Sequence, residues 1–418
     1  MRIAMALYAD VSHDSRVLRE ATTLADAGHD VTIVCIAGAA PEGAPFRVIA
    51  GHPARGGVLP DGSSPFLRDD GASKVKRVAR RVGWLKGYVS SIRAWGRWAV
   101  ASAGPVDAWH AHDLTGLAAV APLVKRPTLL VYDSHEIFLE TGTAARLPGF
   151  GRRLLQRLER RWVSLAAALV TVNEAYAEVL ERRTRPRRIV IVRNCPPRRE
   201  IAEGSAAAPN DRIRDVVGIP ADAPVALYHG AFARHRGIEP AALAMLEPGM
   251  ERHHLAILGF GSIRDELEAM AAEPRFGGRV HVLPAVPPDD VVDWVGSADV
   301  DVIALERSTL NHWLCTPNKL WESLTAGTPV VVSDFPVMRR IVMDDPAGAL
   351  GTVCDPVDPA SIAAAIRAIT EASPEARAGW RARCREAAAD RWNWETESAR
   401  LVELYASLGA ADRGAAGS

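Results

Sequence analysis

Short apolar runs of strand length alternate with amphipathic stretches over most of the chain. Apolar runs occupy residues 2–8, 31–35, 128–132 and 225–228, and apolar positions at helical spacing lie between successive runs. Residues 329–333 read PVVVS, an uninterrupted β-branched run of the kind that fills a buried parallel strand. The alternation of strands and helices predicts an α/β fold with parallel sheets. With 418 residues, the chain is long enough for two domains.

The stretch TPNKLWESLTAGTPVVVSD, residues 316–334, carries the clearest candidate site. Its first half has apolar positions at helical spacing, and Gly327 is placed to end that helix. Asn318 and Lys319 lie at the predicted helix N-terminus, which is a favourable place for an anion. Glu322 follows one turn later on roughly the same face, where its carboxylate could bind hydroxyl groups beside that anion. An ordinary helix with a surface Lys–Glu pair is the alternative interpretation.

The first half of the chain opens with a β–α–β pattern. A loop at residues 9–15 follows the first predicted strand. Ligands of open α/β sheets bind at the carboxyl ends of the strands, so Asp14 in this loop is a candidate cleft residue. The alternative is that Asp14 only caps the helix that follows.

Histidines and acids also follow two later strands of the first half. His112 and Asp113 lie in the predicted loop after one strand, and His135 and Glu136 lie after the next. Loops at strand ends are where catalytic groups gather, so all four residues are candidates for the active site. The sequence HAHD, which begins at His110, resembles a metal-binding pattern but completes no ligand set, so we predict no metal site.

The second half contains a glycine-rich turn after its first strand. Residues 229–237 read HGAFARHRG and precede a predicted helix. Gly230 and Gly237 would allow the backbone to approach a ligand, while Arg234 and Arg236 could neutralise a phosphate at the start of that helix. A similar turn, GFG, follows the next strand. Two such turns in one half of the chain strengthen the prediction of an anion site.

Charge and composition narrow the function classes. The chain has 50 Lys and Arg residues against 50 Asp and Glu residues, so net charge gives no argument for nucleic acid. The five cysteines form no CxxC pair, which indicates reduced thiols and a cytoplasmic protein. We expect no secretory signal, and no apolar run approaches the roughly 20 residues that span a bilayer.

Residues 73–100 form a basic stretch with eight Lys or Arg residues, three tryptophans and no acid. A basic amphipathic helix with tryptophans is typical of peripheral attachment to an anionic membrane, here the inner face. The alternative is a solvated basic face on a helix that packs by its other side. Nucleic acid is a weaker interpretation because no matching fold motif accompanies the stretch.

Composition also marks the expected boundaries. Residues 196–220 are rich in proline, alanine and polar residues. They are predicted to link an N-terminal domain, residues 1–195, to a C-terminal domain, residues 221–392. Residues 393–408 are predicted as a terminal helix, and residues 409–418 as a disordered tail.

Taken together, these motifs resemble those of the nucleotide-sugar-dependent glycosyltransferases of the large retaining GT-B group called family 4. In the first half the similarity rests on DSRVLREATTLADAGHDVTIV, WHAHD, YDSHE and RNCP. In the second half it rests on YHGAFARHRGIE, ILGFG, PNKLWESLTAGTPVVVSD and the closing WNWE and LVELY. The resemblance covers nearly the whole chain. It implies two Rossmann-like domains facing each other across a cleft, with the donor on the C-terminal domain, the acceptor on the N-terminal domain, and the terminal helix packed back on the latter.

The resemblance also implies roles for individual residues. Arg236 matches the basic residue before glycine that contacts the donor diphosphate, and Glu322 matches the second glutamate of the family's paired-glutamate motif, which binds the donor ribose. His135 matches the histidine near the transferred sugar, and Glu136 beside it would help to orient the sugar or the acceptor. Transfer would proceed with retention and without a metal or cofactor. The donor would be a UDP-, GDP- or dTDP-sugar, and the acceptor a glycan, a lipid-linked molecule or a small molecule.

Two positions depart from the family pattern. Leu314 stands where the family usually has the first glutamate of the pair. Family members with the P-x-K-x-x-E form also lack this glutamate. Lys319 and Asn318 are therefore expected to supply substitute donor contacts. Ala231 stands where a basic residue usually follows the first glycine, and Arg234 is expected to replace it. Both departures leave the donor sugar open.

Alternative functions share parts of this pattern. A sugar-nucleotide 2-epimerase has the same two-domain architecture, but it would need more acids around the sugar than the sequence contains. A non-catalytic nucleotide-sugar-binding protein is compatible with Leu314, although Arg236, Lys319 and Glu322 argue against it. A nicotinamide dehydrogenase is the weakest alternative, because no GxGxxG follows the first strand.

Overall fold

The computed structural model describes residues 1–12, 14–53, 74–199 and 211–416. The chain divides into two units, one made of Met1–Asn194 with Glu397–Ser418 and the other of Cys195–Thr396. Each unit is a parallel sheet with helices packed on it. The predicted α/β fold with two parallel sheets is confirmed.

Seven described parallel strands form the sheet of the first unit. They are β1 (Arg2–Asp10), β2 (Asp30–Ala37), β3 (Arg47–Ala50), β4 (Ala108–His112), β5 (Leu129–Ser134), β6 (Ala168–Thr171) and β7 (Ile189–Ile191). Their order in the sheet is β3–β2–β1–β4–β5–β6–β7. The order changes direction between β1 and β4, and the carboxyl ends of strands at such a switch point are where open α/β sheets bind ligands.

The helices of the first unit pack against this sheet. They are α1 (Ser15–Asp26), α2 (Lys74–Ala103), α3 (Asp113–Val120), α4 (Gly142–Ala145), α5 (Gly149–Val163) and α6 (Glu174–Thr184), with a 3₁₀ turn at Phe138–Glu140. Helix α2 corresponds to the basic stretch predicted at residues 73–100, of which residue 73 lies outside the described part. Its Trp95 is fully buried and donates its indole N–H to the Gly51 carbonyl at 3.1 Å. Trp95, one of the three tryptophans behind the membrane interpretation, is therefore a core residue.

The second unit repeats the arrangement with six described parallel strands. They are β8 (Val225–Phe232), β9 (His254–Gly261), β10 (Val280–Pro284), β11 (Val300–Ile303), β12 (Val330–Ser333) and β13 (Gly351–Cys354), in the order β10–β9–β8–β11–β12–β13. The helices are α7 (Arg212–Val217), α8 (Ile238–Ala244), α9 (Arg264–Ala271), α10 (Val291–Gly296), α11 (Leu310–Leu314), α12 (Asn318–Ala326), α13 (Pro336–Met343), α14 (Pro359–Thr370) and α15 (Pro374–Asp390). The switch point of this sheet lies between β8 and β11.

Alternate residues of β8 show how the second sheet is covered on both faces. Ala226 and Tyr228 pack into one apolar cluster, and Val225 and Leu227 pack into another. A strand buried on both faces needs apolar residues at every position, which explains the uninterrupted apolar sequence of this strand.

The terminal helix α16 (Trp394–Ala416) continues beyond Leu408, where the predicted helix ended and a disordered tail was expected. Residues 417–418 lie outside the described part. Within the first unit, Glu397 of α16 pairs with Arg193 at 3.1 Å. Tyr405 forms a hydrogen bond with His110 at 3.0 Å. Each buried contact gives the carboxyl-terminal segment a fixed position in this unit.

The segment predicted as a linker, residues 196–220, contains the short helix α7. Ile213 of α7 is fully buried in an apolar cluster of the second unit. Residues 200–210 of the predicted linker lie outside the described part of the chain. Among the described helices, none combines the length and the apolar composition needed to cross a membrane.

Candidate active site

A buried lysine is the centre of the polar site in the second unit. Lys319 is the second residue of α12, and its ammonium nitrogen lies 3.6 Å from the ring centroid of Tyr228 on β8. Lys319 is only 9% exposed, and its Nζ has no hydrogen-bond partner among the described residues. Burial lowers the pKa of Lys319 to about 8, although the nearby Asp301 raises it. A desolvated ammonium without an acceptor is costly, and an anionic ligand would remove that cost.

A histidine between two acids lies next to this lysine. His229 donates from Nε2 to Glu322 at 2.9 Å and from Nδ1 to Asp301 at 3.2 Å. Burial lowers the pKa of His229, but the two carboxylates more than compensate and raise it to about 9. Ser323 donates its hydroxyl to the other oxygen of Asp301 at 2.8 Å. The imidazolium therefore fixes the position of Glu322, whose side chain keeps 26% of its surface exposed to a ligand.

The two arginines predicted to bind phosphate have different surroundings. Arg234 is exposed and donates to Glu239 at 2.9 Å and to Glu266 at 2.5 Å. Arg236 is partly buried, and its charge acts on both Tyr228 and Lys319. The structure thus brings Arg236 beside Lys319, while the surface acids hold Arg234.

The glycines of the two turns allow close packing of backbone on backbone. A Cβ on Gly237 would lie 1.8 Å from the Ala304 carbonyl oxygen, and one on Gly259 would lie 1.9 Å from that of Gly230. Gly230 itself has a φ of 115°, which L-residues rarely adopt, and nothing crowds it except the end of Lys319 at 3.6 Å. Of these glycines, Gly230 is the one that faces the lysine site.

In the first unit, Asp133 of β5 is the centre of a buried ion-pair network. Arg16 of α1 binds both carboxylate oxygens of Asp133 at 2.8 Å and also donates to the Val192 carbonyl at 2.7 Å. His112 Nδ1 lies 3.4 Å and His135 Nε2 lies 3.2 Å from the same Asp133 oxygen. Only His135 has appreciable exposure in this group, with 18% of its side chain accessible. The network therefore presents one imidazole to the outside.

Further polar residues surround this network. Glu20 lies one turn after Arg16 on the buried face of α1, 3.0 Å from the guanidinium and 3.5 Å from His110 Nε2. The rings of His110 and His112 stack with their centroids 4.7 Å apart. Asp113, at a φ of 54°, accepts a hydrogen bond from the His135 backbone N–H at 3.3 Å and lies 3.7 Å from His135 Nδ1.

Asp133 and His135 stabilise each other's charge in the network. Burial raises the pKa of Asp133, but the Arg16 and His135 charges outweigh it and hold the pKa well below its usual range. Burial lowers the pKa of His135, but Asp113 and Asp133 outweigh it and raise the pKa to about 10. At neutral pH, His135 is therefore an imidazolium that can donate a hydrogen bond but cannot accept a proton.

Burial shifts the pKa of the other titratable side chains beside Asp133. Burial raises the pKa of Glu20 well above its usual range and lowers the pKa of His112 to about 3. Burial also lowers the pKa of His110.

Four of these residues could in principle ligate a metal. Glu20, His110, His112 and Asp133 bring ligand atoms within 4.8 Å of one another. However, the guanidinium of Arg16 already pairs with both Asp133 oxygens and contacts Glu20. A fixed cation at the centre of the ligand set repels a second one, so the arrangement favours an internal ion-pair network.

Two family models match the chain in succession. The glycosyl transferase 4-like domain matches residues 14–195, and the glycosyl transferases group 1 family matches residues 209–390. The chain belongs to the glycosyl transferases group 1 family. It is a glycosyltransferase, and its two polar sites lie one in each matched region.

Curated relatives of this glycosyltransferase are named for sugar transfer. The chain is 29% identical over 319 residues to D-inositol 3-phosphate glycosyltransferase of Xylanimonas cellulosilytica, covering 73% of each chain. It is 30% identical over 206 residues to phosphatidyl-myo-inositol mannosyltransferase of Mycolicibacterium smegmatis, covering 46% of this chain and 48% of the relative. Neither similarity favours the epimerase alternative.

A solved structure shares the fold of this glycosyltransferase. Sucrose-phosphate synthase from Thermosynechococcus elongatus superposes with a TM-score of 0.72 at 18% identity, covering 98% of this chain and 100% of that one. At this identity the similarity shows the fold alone, and the fold is GT-B.

Several predicted site residues have other surroundings than expected. His112 is the last residue of β4 and fully buried, so its predicted position in a loop is wrong. Asp14 caps α1 by accepting from the Val17 N–H at 3.1 Å, which is the alternative role considered for it. Asn318 and Glu136 are exposed.

Sequence reasoning missed residues that the structure places at the two sites. Arg16 and Glu20 lie on the buried face of α1, where their i, i+4 spacing and opposite charges were a usable signal. Tyr228, His229 and Asp301 lie on buried strands, and Asp301 interrupts an otherwise apolar run. A charged residue inside a predicted core strand needs a partner, and that need was the available signal.

Proposed function

We propose that this glycosyltransferase moves a hexosyl group from a nucleoside diphosphate sugar to an acceptor hydroxyl, with retention and without a metal. The donor is a UDP-, GDP- or dTDP-sugar. One observation carries the proposal: the buried Lys319 ammonium has no hydrogen-bond acceptor among the described residues. The guanidinium of Arg236 adds positive charge near it. A diphosphate is the anion that this concentration of cations fits.

The same cations account for the chemistry of the leaving group. When the bond from the anomeric carbon to the β-phosphate breaks, negative charge develops on the leaving nucleoside diphosphate. Lys319 and Arg236, with Gly230 and Asn318 beside them, stabilise that charge from fixed positions. Protein cations in these positions do the work that a divalent ion does in other transferases, which supports metal independence. Retention follows from the family resemblance, with attack by the acceptor hydroxyl on the face that the leaving group departs from. The acceptor oxygen bonds to the anomeric carbon as the bond to the β-phosphate oxygen breaks, and that departing oxygen takes the hydroxyl proton.

On the acceptor side, His135 acts as a hydrogen-bond donor. Its raised pKa of about 10 keeps the imidazolium charged at neutral pH. A charged imidazole orients a sugar or acceptor hydroxyl and does not serve as the base. Glu136 is adjacent and exposed, and its carboxylate would accept a hydrogen bond from a hydroxyl of the sugar or the acceptor. No covalent intermediate with the enzyme is needed.

A thermal-shift screen against UDP-, GDP-, dTDP- and ADP-sugars tests the donor proposal. A ligand that binds only the folded state raises the melting temperature, by an amount equivalent to about 2.7 kcal/mol at a hundredfold excess over Kd. We expect one nucleotide to give the rise in EDTA as well as in Mg²⁺. A rise that appears only with Mg²⁺ contradicts metal independence, and no rise with any nucleotide contradicts the proposal as a whole.

Replacing Glu322 by alanine is expected to weaken binding of that nucleotide by about 10–100-fold. The reason is the loss of charge-assisted hydrogen bonds from the ribose hydroxyls to a carboxylate that His229 holds in place. Isothermal titration with the free nucleotide measures the effect. Glu239→Ala removes an exposed acid that pairs with Arg234 and is the matched control. Equal affinities of the two variants would remove Glu322 from the ribose site.

The protein is further proposed to contact anionic membranes peripherally through α2. The exposed part of α2 carries Lys86, Arg93 and Arg97 and no acid. Flotation with vesicles of anionic and of zwitterionic lipid measures the contact. We expect recovery with the anionic vesicles alone and release at high salt, since the attraction is electrostatic. If the same amount of protein stays unbound with both vesicle types, the proposed membrane contact is contradicted.

A further inference from the structure

The first unit contains a large cavity that the proposed chemistry does not use. Its volume is about 990 Å³, at the upper end of the roughly 300–1,000 Å³ typical of small-molecule sites. Helices α2, α3 and α5 supply most of its walls, with apolar side chains that include Trp84, Tyr88, Ala118, Leu158 and Trp162. A space of this size between apolar helix faces is suited to hydrocarbon.

Basic side chains outnumber acids around the cavity. Three arginines line it, Arg93 and Arg97 on α2 and Arg161 on α5, and all three are exposed. Among the described residues, none of these guanidinium groups forms an ion pair. Asp113 is the one acid among the lining residues. Three guanidinium groups beside an apolar space fit a molecule with a phosphate at one end and a hydrocarbon chain.

The cavity also reaches the candidate acceptor side. Asp113, which lines it, accepts the hydrogen bond from the His135 backbone N–H at 3.3 Å. A molecule held in the cavity can therefore place a polar end next to His135. The cavity joins the ion-pair network of the first unit to the surface of α2 and α5.

Exposed apolar residues of the first unit gather on the same two helices. Six large apolar side chains are exposed in the described part of this unit. Three lie on α2 (Val82, Leu85 and Val89), two lie on α5 (Phe150 and Leu154), and Leu165 lies just after the end of α5. Phe150 is 77% exposed. Leu85, Val89 and Leu165 also line the cavity. Exposed apolar residues with basic neighbours are typical of a surface that meets lipid.

We propose that this cavity holds the hydrocarbon chain of a lipid acceptor that carries a phosphate, with Arg93, Arg97 and Arg161 binding the phosphate. The polar end of the lipid lies toward Asp113 and His135, and the chain lies between α2, α3 and α5. The proposal rests on the proposed glycosyl transfer for the role of the lipid as acceptor. Binding of the lipid itself is independent of the donor.

Native mass spectrometry and isothermal titration with octyl, decyl and dodecyl phosphate, each below its micelle concentration, test the site. We expect one lipid per protein chain and an affinity that rises up to about fourfold for each added methylene, as burial of hydrocarbon requires. Decanol should bind at least tenfold more weakly than decyl phosphate. Absence of saturable binding, or the same affinity for all chain lengths, overturns the proposal.

Two sets of variants locate the binding. Ala118→Trp fills the cavity from α3 and is expected to abolish binding of dodecyl phosphate. The double variant R93A/R97A should lower the affinity for decyl phosphate at least tenfold and leave decanol unaffected. Arg153 and Arg157, exposed on α5 outside the cavity lining, provide the control pair R153A/R157A. If Ala118→Trp binds dodecyl phosphate as tightly as the wild type does, the proposal is overturned. It is also overturned if the variant still binds the lipid and differs from the wild type only in its oligomeric state.

A fluorescence measurement on the protein with Ala118 retained tests the location without relying on the folding of Ala118→Trp. Dodecyl phosphate brominated near its chain end should quench the emission of Trp84 and Trp162, and the double variant W84F/W162F should lose the quenched component. Quenching that survives in this variant overturns the location. The nucleotide thermal-shift screen distinguishes the two proposals. If the lipid binds and no nucleotide raises the melting temperature, the lipid-binding cavity is supported and the proposed donor site is contradicted.

Discussion

Replacing Lys319 by methionine is expected to lower kcat for sugar transfer by about 10²–10³-fold, the usual loss when one fixed charge aimed at a leaving group is removed. Methionine keeps the length and apolar packing of the side chain against Tyr228, from which the ammonium is 3.6 Å away. Only the charge is lost. Steady-state kinetics with the donor identified by the thermal-shift screen measures the effect.

The same substitution is expected to raise the stability of the free protein. The ammonium of Lys319, which has no hydrogen-bond acceptor in the described part of the chain, is buried at a cost, and its pKa of about 8 in place of 10.5 reflects that cost. Removing such a group should increase the free energy of unfolding by roughly 1–3 kcal/mol at pH 7. Loss of activity together with a gain in stability separates a ligand-binding role from a structural one.

The pH dependence of donor binding gives a second measure of Lys319. A lysine with a pKa of about 8 loses its charge as the pH rises through 8, so nucleotide affinity should fall above that pH. His229, with a pKa of about 9, adds a later decline. In Lys319→Met the first decline should be absent and the second retained. Lys125→Met, at an exposed lysine, is the control. Unchanged kcat in Lys319→Met, or loss of activity with loss of stability, contradicts the assignment.

Local pattern was sufficient for the elements and for the position of the lysine site. The apolar spacing before Gly327 and the β-branched run after it predict α12 and β12 within a residue or two, because both signals lie in adjacent residues. Lys319 and Glu322 on one helix face follow from the same spacing. The order of the strands in the sheet places that helix beside β8 and β11. Local sequence pattern does not predict this order, so it does not predict which strands contact α12.

Long-range pairing explains what the sequence did not reveal. Arg16 and Asp133 are separated by 117 positions, yet they form the bidentate pair at the centre of the first unit. Trp95 is in the core because one face of α2 packs on the sheet, and spacing alone does not say which face. Arg234 and Arg236 are two residues apart, and only the positions of Glu239 and Glu266 separate their roles. Such distinctions depend on neighbours from other parts of the chain.

Replacing Asp133 by asparagine is expected to lower the free energy of unfolding of the first unit by about 3–5 kcal/mol at pH 7, since breaking a buried ion pair leaves its partner charge without compensation. Two cations, Arg16 and His135, depend on this carboxylate. Calorimetry of the variant against the wild type measures the loss. Asp107→Asn removes a partly exposed pair with Arg2 at 3.1 Å on the same sheet, for which we expect about 0–1 kcal/mol.

The pH dependence of this loss identifies its cause. The pKa of His135 is raised to about 10 in the folded protein from 6.5, so its stabilisation is complete below pH 6.5 and is lost as the pH rises through 10. Without Asp133 the imidazolium loses its closest carboxylate and its pKa falls. The difference in stability between wild type and Asp133→Asn should therefore be largest near pH 6 and shrink toward pH 10. A difference that stays constant over this range would mean that His135 is neutral in the folded protein, and its role as a charged donor to the acceptor would then have to be abandoned.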